Sequence, residues 1–335
     1  MSGDEADAVL AVRSLTIGFG TRRGKARVVQ DVDWHVGAGE TLAIVGESGS
    51  GKSVSALAVM GLLPTPPARV EGEAIMGGRN LLALPEEERR RSRGRELGMV
   101  FQNPMTSLNP YLTVGRQLTE GMEYHLGLRG SELRDRAVDL LELVGIPAPR
   151  DRLEDHPHQF SGGMRQRVMI AIALACEPKV LIADEATTAL DVTTQAQIIE
   201  LLARLQRDLG MAVVWITHDL GVVAGIADRV AVMYAGQVVE EAAVDDLYAN
   251  PRHPYTRGLL GALPVIGDRG EELSTIAGLP PDPLRMPPGC RFWDRCTVRA
   301  DGRCENEPPP VWEARPGHRV RSFYDTARKE VSDDR

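Results

Sequence analysis

The pattern of apolar and polar positions changes character along the chain. From Ala11 to about residue 262, short apolar runs of strand length alternate with longer segments of helical periodicity. The clearest strand candidates are Thr41–Val45, Gly98–Phe101, Val180–Ala183 and Ala212–Ile216. Near-continuous apolar strands are typical of a parallel sheet that is covered by helices on both faces. The pattern therefore predicts an α/β domain.

One stretch interrupts this alternation. Between about Pro104 and His158 the strand signals vanish, and the segments 116–126 and 131–144 read as amphipathic helices. The second of these helices has one apolar face, formed by Leu133, Ala137, Leu140, Leu141 and Val144. We therefore expect a helical insertion within the α/β domain.

The two ends of the chain differ from this central part. Residues 1–8 are polar and acidic, which predicts a disordered tail. After about Leu263 the prolines multiply, three of the four cysteines appear and the periodicity is lost. The predicted organisation is a tail over 1–8, an α/β domain over 9–262 and an irregular cysteine-containing extension over 263–335.

Composition and charge narrow the classes of function. The net charge of −8 disfavours a nucleic-acid partner, because binding to phosphate backbones usually needs a basic face. The N-terminus lacks the apolar core of a signal peptide, and the longest apolar runs, such as 168–176, are too short to span a bilayer. These features predict a cytoplasmic protein whose cysteines are not structural disulfides.

A glycine-rich loop follows the first of these strand candidates. The stretch matches the pattern GxxxxGK[ST], lies after an apolar strand and precedes a helical run, which is the context a phosphate-binding loop requires. Glycines let the backbone wrap the phosphates, and the amides at the start of the helix point at the anion. The lysine would reach the terminal phosphates and the last serine would hold Mg²⁺. The alternative is a glycine-rich loop that matches by chance. The loop consists of Gly46, Glu47, Ser48, Gly49, Ser50, Gly51, Lys52 and Ser53.

Two carboxylates end another apolar strand. Asp184 follows the run that begins at Val180, and Glu185 comes directly after it. Asp184 is predicted to hold Mg²⁺ and Glu185 to act as the general base that polarises an attacking water. Two solvated carboxylates at a strand end are the alternative interpretation, which the presence of the phosphate-binding loop disfavours.

A serine and two glycines begin a further helix. Ser161 suits the N-cap position, Gly162 and Gly163 carry no side chain, and an apolar helix follows. This makes a second helix start suited to binding an anion, with an ordinary capped helix as the alternative. The segment from His158 to Arg167 resembles the signature motif of ABC ATPases. In that family the motif grips the γ-phosphate of ATP held by the opposite subunit.

The resemblance covers about residues 9–262 and assigns further residues. It implies a RecA-like P-loop core with an antiparallel β subdomain and an inserted helical subdomain, and it implies ATP and Mg²⁺ as ligands. Gln102 resembles the glutamine that touches Mg²⁺, Asp191 lies in the segment 189–191 that resembles the loop joining two ATPases, and His218 resembles the histidine that contacts the γ-phosphate. Phe19 stands where the family has an aromatic that stacks on adenine, a core phenylalanine being the alternative.

Three stretches resemble one branch of this family, the importers of oligopeptides, dipeptides and nickel. They are 101–110, 160–170 and 253–256. The resemblance implies two membrane permeases, an extracytoplasmic solute-binding protein and a second, paralogous ATPase as partners, with this chain at the cytoplasmic face of the membrane. Import of nickel or another small solute, or a soluble ABC ATPase without a transport role, are the alternatives. A P-loop kinase or GTPase is disfavoured, because no acceptor pocket or guanine-reading motif is evident.

One residue departs from the family pattern beside the predicted base. Ala186 stands where most relatives have proline, so the restraint that proline would place on the backbone next to Glu185 is absent. We expect a mild effect on the placement of Glu185.

The cysteines of the extension resemble a cluster site in the same branch. Cys290, Cys296 and Cys304 resemble three of four cysteines that hold a 4Fe–4S cluster, and Ser322 stands near the place of the fourth. Three interpretations follow from this resemblance: a cluster completed by Ser322 or His318, a zinc site of three cysteines and a histidine, or a site that has lost its metal. Cys176 is predicted to be a small buried core residue.

Overall fold

The computed structural model describes residues 8–188, 190–263, 275–299 and 302–325. The chain divides into two compact units. The first unit comprises Met1–Leu10, Val36–Glu40 and Ala83–Ile216, and the second comprises Ala11–His35, Thr41–Leu82 and Thr217–Arg335. Of the predicted tail over 1–8, only Ala8 lies within the described residues.

The strands of the described residues are numbered in chain order. They are β1 Ala8–Thr21, β2 Gly24–Gly37, β3 Thr41–Val45, β4 Ala68–Met76, β5 Arg79–Asn80, β6 Leu97–Val100, β7 Val180–Asp184, β8 Ala212–Thr217, β9 Arg229–Tyr234, β10 Gln237–Ala243, β11 Val311–Arg315 and β12 His318–Arg321.

The α-helices of the same residues are numbered likewise. They are α1 Lys52–Val59, α2 Glu86–Ser92, α3 Pro104–Ser107, α4 Val114–His125, α5 Gly130–Leu143, α6 Pro149–Arg152, α7 Gly162–Leu174, α8 Val192–Leu209, α9 Leu220–Val223, α10 Val244–Ala249, α11 Pro254–Gly261 and α12 Arg303–Asn306.

The first unit contains a small parallel sheet. Strand β7 pairs in parallel with β6 on one side and with β8 on the other, and every residue of β6 and β7 is buried. Continuous burial explains why these strands read as uninterrupted apolar runs. The strands predicted near Gly98, Val180 and Ala212 are therefore confirmed.

The helical insertion belongs to the first unit as well. Helices α4 and α5 pack on each other and on α7. The face predicted for the second helix is buried throughout, because Leu133, Ala137, Leu140 and Leu141 of α5 and the adjoining Val144 are at most 7% exposed. Thr113 is the N-cap of α4 and accepts a hydrogen bond from the Arg116 amide, so α4 begins at Val114, two residues before the predicted start.

The second unit contains two sheets. One has the strand order β2-β1-β4-β5, and the other has the order β11-β12-β10-β9-β3 within this unit. In the latter, β3 and β9 pair in parallel, whereas β9 with β10, β10 with β12 and β11 with β12 pair antiparallel. The core against this sheet includes Tyr234, Tyr255 and Phe292.

The C-terminal extension was expected to be irregular, yet it contributes β11 and β12 to that sheet. Along β12 the side chains of His318 and Val320 are buried while Arg319 is exposed, a period-two alternation over only four residues. So short an alternation after a run of prolines gives too weak a periodic signal to identify a strand.

Candidate functional site

The glycine-rich loop of the second unit has the predicted strand–loop–helix form. Buried strand β3 ends at Val45, the loop follows, and α1 begins at Lys52 with Gly51 as its N-cap in a left-handed conformation, φ 102°. Ser53 is the second residue of α1, Ser50 is buried, and Ser48 and Gly49 are exposed. The loop thus has the backbone form that the motif predicted.

Two glycines of this loop are required by the surrounding backbone. Gly46 has a φ of 151°, and a Cβ at this position would lie 2.0 Å from the carbonyl oxygen of Met233. A Cβ on Gly51 would lie 3.0 Å from the side chain of Val29 and 3.2 Å from the carbonyl oxygen of Val28. These close approaches are a steric reason for glycine that is independent of any ligand.

Lys52 folds back over the loop. Its side chain is buried, and Nζ donates hydrogen bonds to the carbonyl oxygens of Gly46 at 2.7 Å and of Glu47 at 3.0 Å. Since both acceptors are neutral, a phosphate oxygen would be the stronger acceptor for this ammonium group. The structure therefore places the ammonium group at the loop, beside two neutral acceptors that are weaker than a phosphate oxygen.

Glu47 makes two contacts that the sequence did not reveal. Its carboxylate forms a two-point ion pair with Arg295, with both N···O distances at 2.8 Å. Its backbone amide donates to the hydroxyl of Tyr255 at 2.9 Å. The hydrogen bond to Glu47 raises the pKa of Arg295. Tyr255 lies within the family stretch 253–256, but nothing in the pattern of residues near Arg295 indicated its partner.

The acidic end of β7 lies in the first unit. Asp184 is buried, and Glu185 follows it in a left-handed conformation with a φ of 46°. The Glu185 carboxylate accepts hydrogen bonds from Gln102 Nε2 at 2.7 Å and from Thr188 Oγ1 at 3.3 Å. The structure thus brings Gln102 and Glu185 together across 83 positions of sequence.

The predicted Ser161 cap is also found in the first unit. Ser161 Oγ accepts a hydrogen bond from the Met164 amide at 3.3 Å, which begins the 13-residue helix α7. Gly162 has open space where a Cβ would stand, whereas a Cβ on Gly163 would lie 2.7 Å from Thr194 Cγ2. Of these two glycines, Gly163 has a steric reason to lack a side chain, whereas Gly162 leaves open space at the start of the helix.

Asp191 is linked to this helix start through Thr194. As the N-cap of α8, Asp191 accepts from the Thr194 amide at 2.9 Å and from the Thr194 hydroxyl at 2.7 Å. These bonds, led by the amide, lower the pKa of Asp191. Thr194 in turn contacts Gly163, a connection that sequence reasoning missed. Ala189, of the same predicted loop, lies outside the described residues.

The two remaining predicted residues lie in the second unit. His218 is exposed and directly follows β8, and the adjacent Asp219 caps α9 by accepting from the Gly221 amide at 2.9 Å. Phe19 is half-buried on β1 and is absent from the buried core, which disfavours its interpretation as a core phenylalanine.

Comparison with known proteins identifies the family. The ABC transporter profile matches residues 29–188, and the profile of the C-terminal region of oligopeptide/dipeptide transporters matches residues 239–304. The chain is 51% identical over 317 residues to an oligopeptide transport ATP-binding protein of Bacillus subtilis (strain 168), which covers 94% of this chain and 88% of that one. The chain belongs to the ABC transporter family, within its oligopeptide/dipeptide branch.

Further relatives agree with this assignment. A dipeptide transport ATP-binding protein of the same Bacillus subtilis strain is 51% identical, covering 88% of each chain. Among solved structures, a dimeric ATP-binding cassette, MJ0796, in a post-hydrolysis state with ADP and phosphate has a TM-score of 0.63 at 29% identity. It covers 70% of this chain and 98% of its own. The ABC ATPase fold and ATPase activity expected from the sequence are thereby supported.

Within the described part of the chain, the cysteines of the extension do not form the metal site that the sequence suggested. None of the four cysteines forms a disulfide, and the amide of Cys290 donates to the carbonyl oxygen of Cys304 at 2.7 Å. Burial, followed by the neighbouring Cys304 and Cys296, raises the pKa of the Cys290 thiol to about 11. In residues 8–188, 190–263, 275–299 and 302–325, no three His, Cys, Asp or Glu side chains are arranged to hold a metal.

Both candidates for a fourth ligand are engaged elsewhere. His318 bonds through Nε2 to Glu240 at 2.8 Å and through Nδ1 to Asp246 at 2.7 Å. The hydroxyl of Ser322 accepts from the Tyr324 amide at 3.1 Å. The residues present therefore fit neither a four-ligand iron–sulfur cluster nor a zinc site of three cysteines and His318, because the ring nitrogens of His318 already serve two carboxylates.

We expect His318→Gln to destabilise the fold in a pH-dependent way. Burial by itself lowers the pKa of His318, but its hydrogen bonds to Glu240 and Asp246 raise that pKa overall. The stabilisation by the charged ring is therefore complete below pH ~6.5 and is lost as the pH rises through the folded-state value. Thermal or urea unfolding should show that the free energy of unfolding falls by about 3 kcal/mol at pH 6, because the substitution leaves the buried Glu240 without its charged partner. The loss should be smaller at pH 9, where the histidine ring is neutral.

The exposed His158 offers a matched control. His158→Gln should leave the free energy of unfolding within about 0.5 kcal/mol of the unsubstituted chain. A destabilisation by His318→Gln that grows from pH 6 to pH 9 would contradict the assigned charge state.

Proposed function

We propose that this chain is the ATP-hydrolysing subunit of an importer of oligopeptides or dipeptides and works at the cytoplasmic face of the cell membrane. The observation that carries the proposal is the 51% identity to an oligopeptide transport ATP-binding protein across 94% of the chain. The matching C-terminal region points to the same branch. Among the described residues, no helix has the length and apolarity needed to cross a bilayer.

The loop 46–53 is the proposed cradle for the phosphates of ATP. Its support is the left-handed Gly51 at the start of α1, together with a buried lysine whose Nζ donates to the carbonyl oxygens of Gly46 and Glu47. On ATP binding, Lys52 exchanges those carbonyls for charged phosphate oxygens, which accept stronger hydrogen bonds. Phe19 is the proposed adenine contact, supported by its partial exposure.

Mg²⁺ is the cofactor that the family implies, and the donor set suits it. Ser53, Gln102 and Asp184 would supply hydroxyl, amide and carboxylate oxygens, the hard ligands that this ion prefers. When bound, Mg²⁺ neutralises charge on the β- and γ-phosphate oxygens. A 4Fe–4S cluster forms no part of the proposal.

Glu185 is the proposed general base. Its carboxylate already accepts from Gln102 and Thr188, so its orientation is fixed before a substrate arrives. In this position it would accept a proton from the water that attacks the γ-phosphate. His218, exposed after β8, is the proposed γ-phosphate contact.

A second, paralogous ATPase subunit is proposed to complete each ATP site. The start of α7 presents the positive end of a 13-residue helix at Ser161, Gly162 and Gly163. Its neighbour Asp191 is joined to it through Thr194. The dimeric solved relative that holds ADP and phosphate supports such a pairing.

Two transmembrane permeases and an extracytoplasmic solute-binding protein are the remaining proposed partners. Support comes from the helical insertion, where Met105 is 62% exposed and Tyr111 is 88% exposed a few residues after Gln102. Large side chains with apolar surface that are left exposed within one short segment are typical of protein contact surfaces. The insertion would thus connect Gln102 to the permeases.

Uptake of labelled peptides tests the proposal in cells. Cells that lack this chain but retain the partner proteins should import labelled tri- and tetrapeptides when the unsubstituted chain is supplied. The variant Lys52→Ala should reduce uptake at least about tenfold, because the ammonium group for the phosphates is lost. Lys179→Ala, a change at an exposed lysine, is the matched control and should support normal uptake.

The same cells distinguish the alternatives. If cells that lack the chain lose nickel uptake but import peptides normally, the transported solute is a metal ion and not a peptide. Normal uptake of both solutes in the absence of the chain would contradict a role in either kind of import.

A further inference from the structure

The C-terminal extension contacts the phosphate-binding loop from outside the nucleotide motifs. Arg295 donates through Nη1 and Nη2 to both carboxylate oxygens of Glu47, the second residue of the loop. The side chain of Arg295 is 5% exposed and that of Glu47 is 28% exposed. Such a two-point pair fixes direction as well as distance, which a single contact does not.

The guanidinium of Arg295 is itself held from several sides. Its Nε donates to the carbonyl oxygen of Ala277 at 3.0 Å, and Nη2 also donates to that of Ile276 at 3.3 Å. The central guanidinium carbon of Arg295, Cζ, lies 5.6 Å from the ring centre of Tyr234 and 5.9 Å from that of Phe292. Arg295 is therefore a rigid anchor in the extension and not a mobile surface side chain.

The neighbouring aromatic cluster secures the same part of the loop. Tyr255, whose hydroxyl accepts from the Glu47 amide, packs against Tyr234 at 4.6 Å and against Phe292 at 5.5 Å between ring centres. Both the backbone and the side chain of Glu47 are thus held by residues outside the motif.

A second arginine of the extension reaches the other side of the loop. Arg291 is buried and donates to the carbonyl oxygen of Ala235 and to Gln30 Oε1. The next residue, Gly236, donates its amide to the carbonyl oxygen of Ser50 at 2.8 Å. Two arginines of one short segment therefore hold the loop directly at Glu47 and indirectly at Ser50.

We propose that the C-terminal extension sets the shape of the phosphate-binding loop through Arg295, which acts as a positioning residue for ATP. The inference rests on the proposed function, since it assumes that loop 46–53 binds the phosphates. A loop held in its binding conformation loses less conformational freedom when ATP arrives, so its affinity is higher. Because the anchor belongs to the extension, disturbance of that segment is transmitted to ATP affinity.

A partly buried ion pair is a poor device for stability alone. Removing two charges from water has a desolvation cost that their attraction only partly offsets, and apolar replacements often serve stability as well. The two-point geometry between Arg295 and Glu47 does fix the position of a loop residue, which apolar packing would do less specifically.

Arg295→Ala tests the inference through ATP affinity and steady-state kinetics. Calorimetry with Mg-ATP should give a dissociation constant raised about tenfold, and KM for ATP should rise in parallel while kcat changes less than about twofold. Arg295→Lys should restore part of the affinity, since lysine keeps the charge but not the two-point geometry. Arg299→Ala, at an arginine that stacks on Trp293 in the same segment, should behave like the unsubstituted chain.

Glu47→Gln provides a second variant should Arg295→Ala fail to fold, as judged by thermal unfolding. It keeps the shape of the side chain and weakens the pair, so the KM for ATP should again rise. A KM unchanged in every folded variant would overturn the inference while the proposed function stood. An unsubstituted chain that fails to bind ATP would instead overturn the proposed function.

Discussion

Glu185→Gln should abolish ATP hydrolysis while ATP binding is retained. The amide cannot accept a proton from water, but it has the shape of the carboxylate and can still accept the hydrogen bond from Gln102 Nε2. Loss of a general base typically lowers the rate about 10²- to 10⁴-fold. The rate of phosphate release measured at saturating Mg-ATP should therefore be lower by this factor or more. The bound, unhydrolysed ATP should hold two ATPase subunits together, visible as a larger species by size-exclusion chromatography.

Glu177 is a well-matched control for this change. It too is a glutamate in a left-handed conformation, with a φ of 53°, but it is exposed and pairs with Arg136. Glu177→Gln should therefore leave the turnover within about twofold of normal, as surface substitutions usually do. Near-normal turnover of Glu185→Gln would remove Glu185 from its proposed role as the base.

Gly46→Ala should eliminate tight ATP binding. The new Cβ would lie 2.0 Å from the carbonyl oxygen of Met233, and a φ of 151° is unsuited to a residue with a side chain. Strain of this kind costs on the order of 1–3 kcal/mol, and relief of the clash has to displace the start of the loop from β9. We expect the affinity for Mg-ATP to fall at least about 100-fold, equivalent to about 2.7 kcal/mol. Calorimetric titration measures it directly.

Gly24→Ala separates backbone strain from the steric clash. Gly24 has a φ of 130°, but nothing lies within 4 Å of the Cβ that alanine would add. The substitution should lower stability modestly and leave the affinity for ATP unchanged. Equal losses of affinity in the two alanine variants would show that the close contact with Met233 is unimportant.

Local features were predictable because neighbouring residues encode them. Gly51 before Lys52, and the serine at 161 before two glycines, specify helix starts through backbone freedom and capping, which depend on few residues. Strand β7 was identified because complete burial leaves an uninterrupted apolar run. The extension was harder, since its two short strands carry little periodic signal and its cysteine spacing resembled a metal site.

The sequence by itself determined the phosphate-binding loop, the acidic strand end, the second helix start and, through these, the family. Only the tertiary structure decided that Arg295 pairs with Glu47, 248 positions away, and that His318 serves two carboxylates instead of a metal. The physical reason is that caps and glycine turns depend on adjacent residues, whereas ion pairs depend on which distant segments the sheets bring together. The number of positions between two residues in the sequence does not show how far apart they lie in the folded chain.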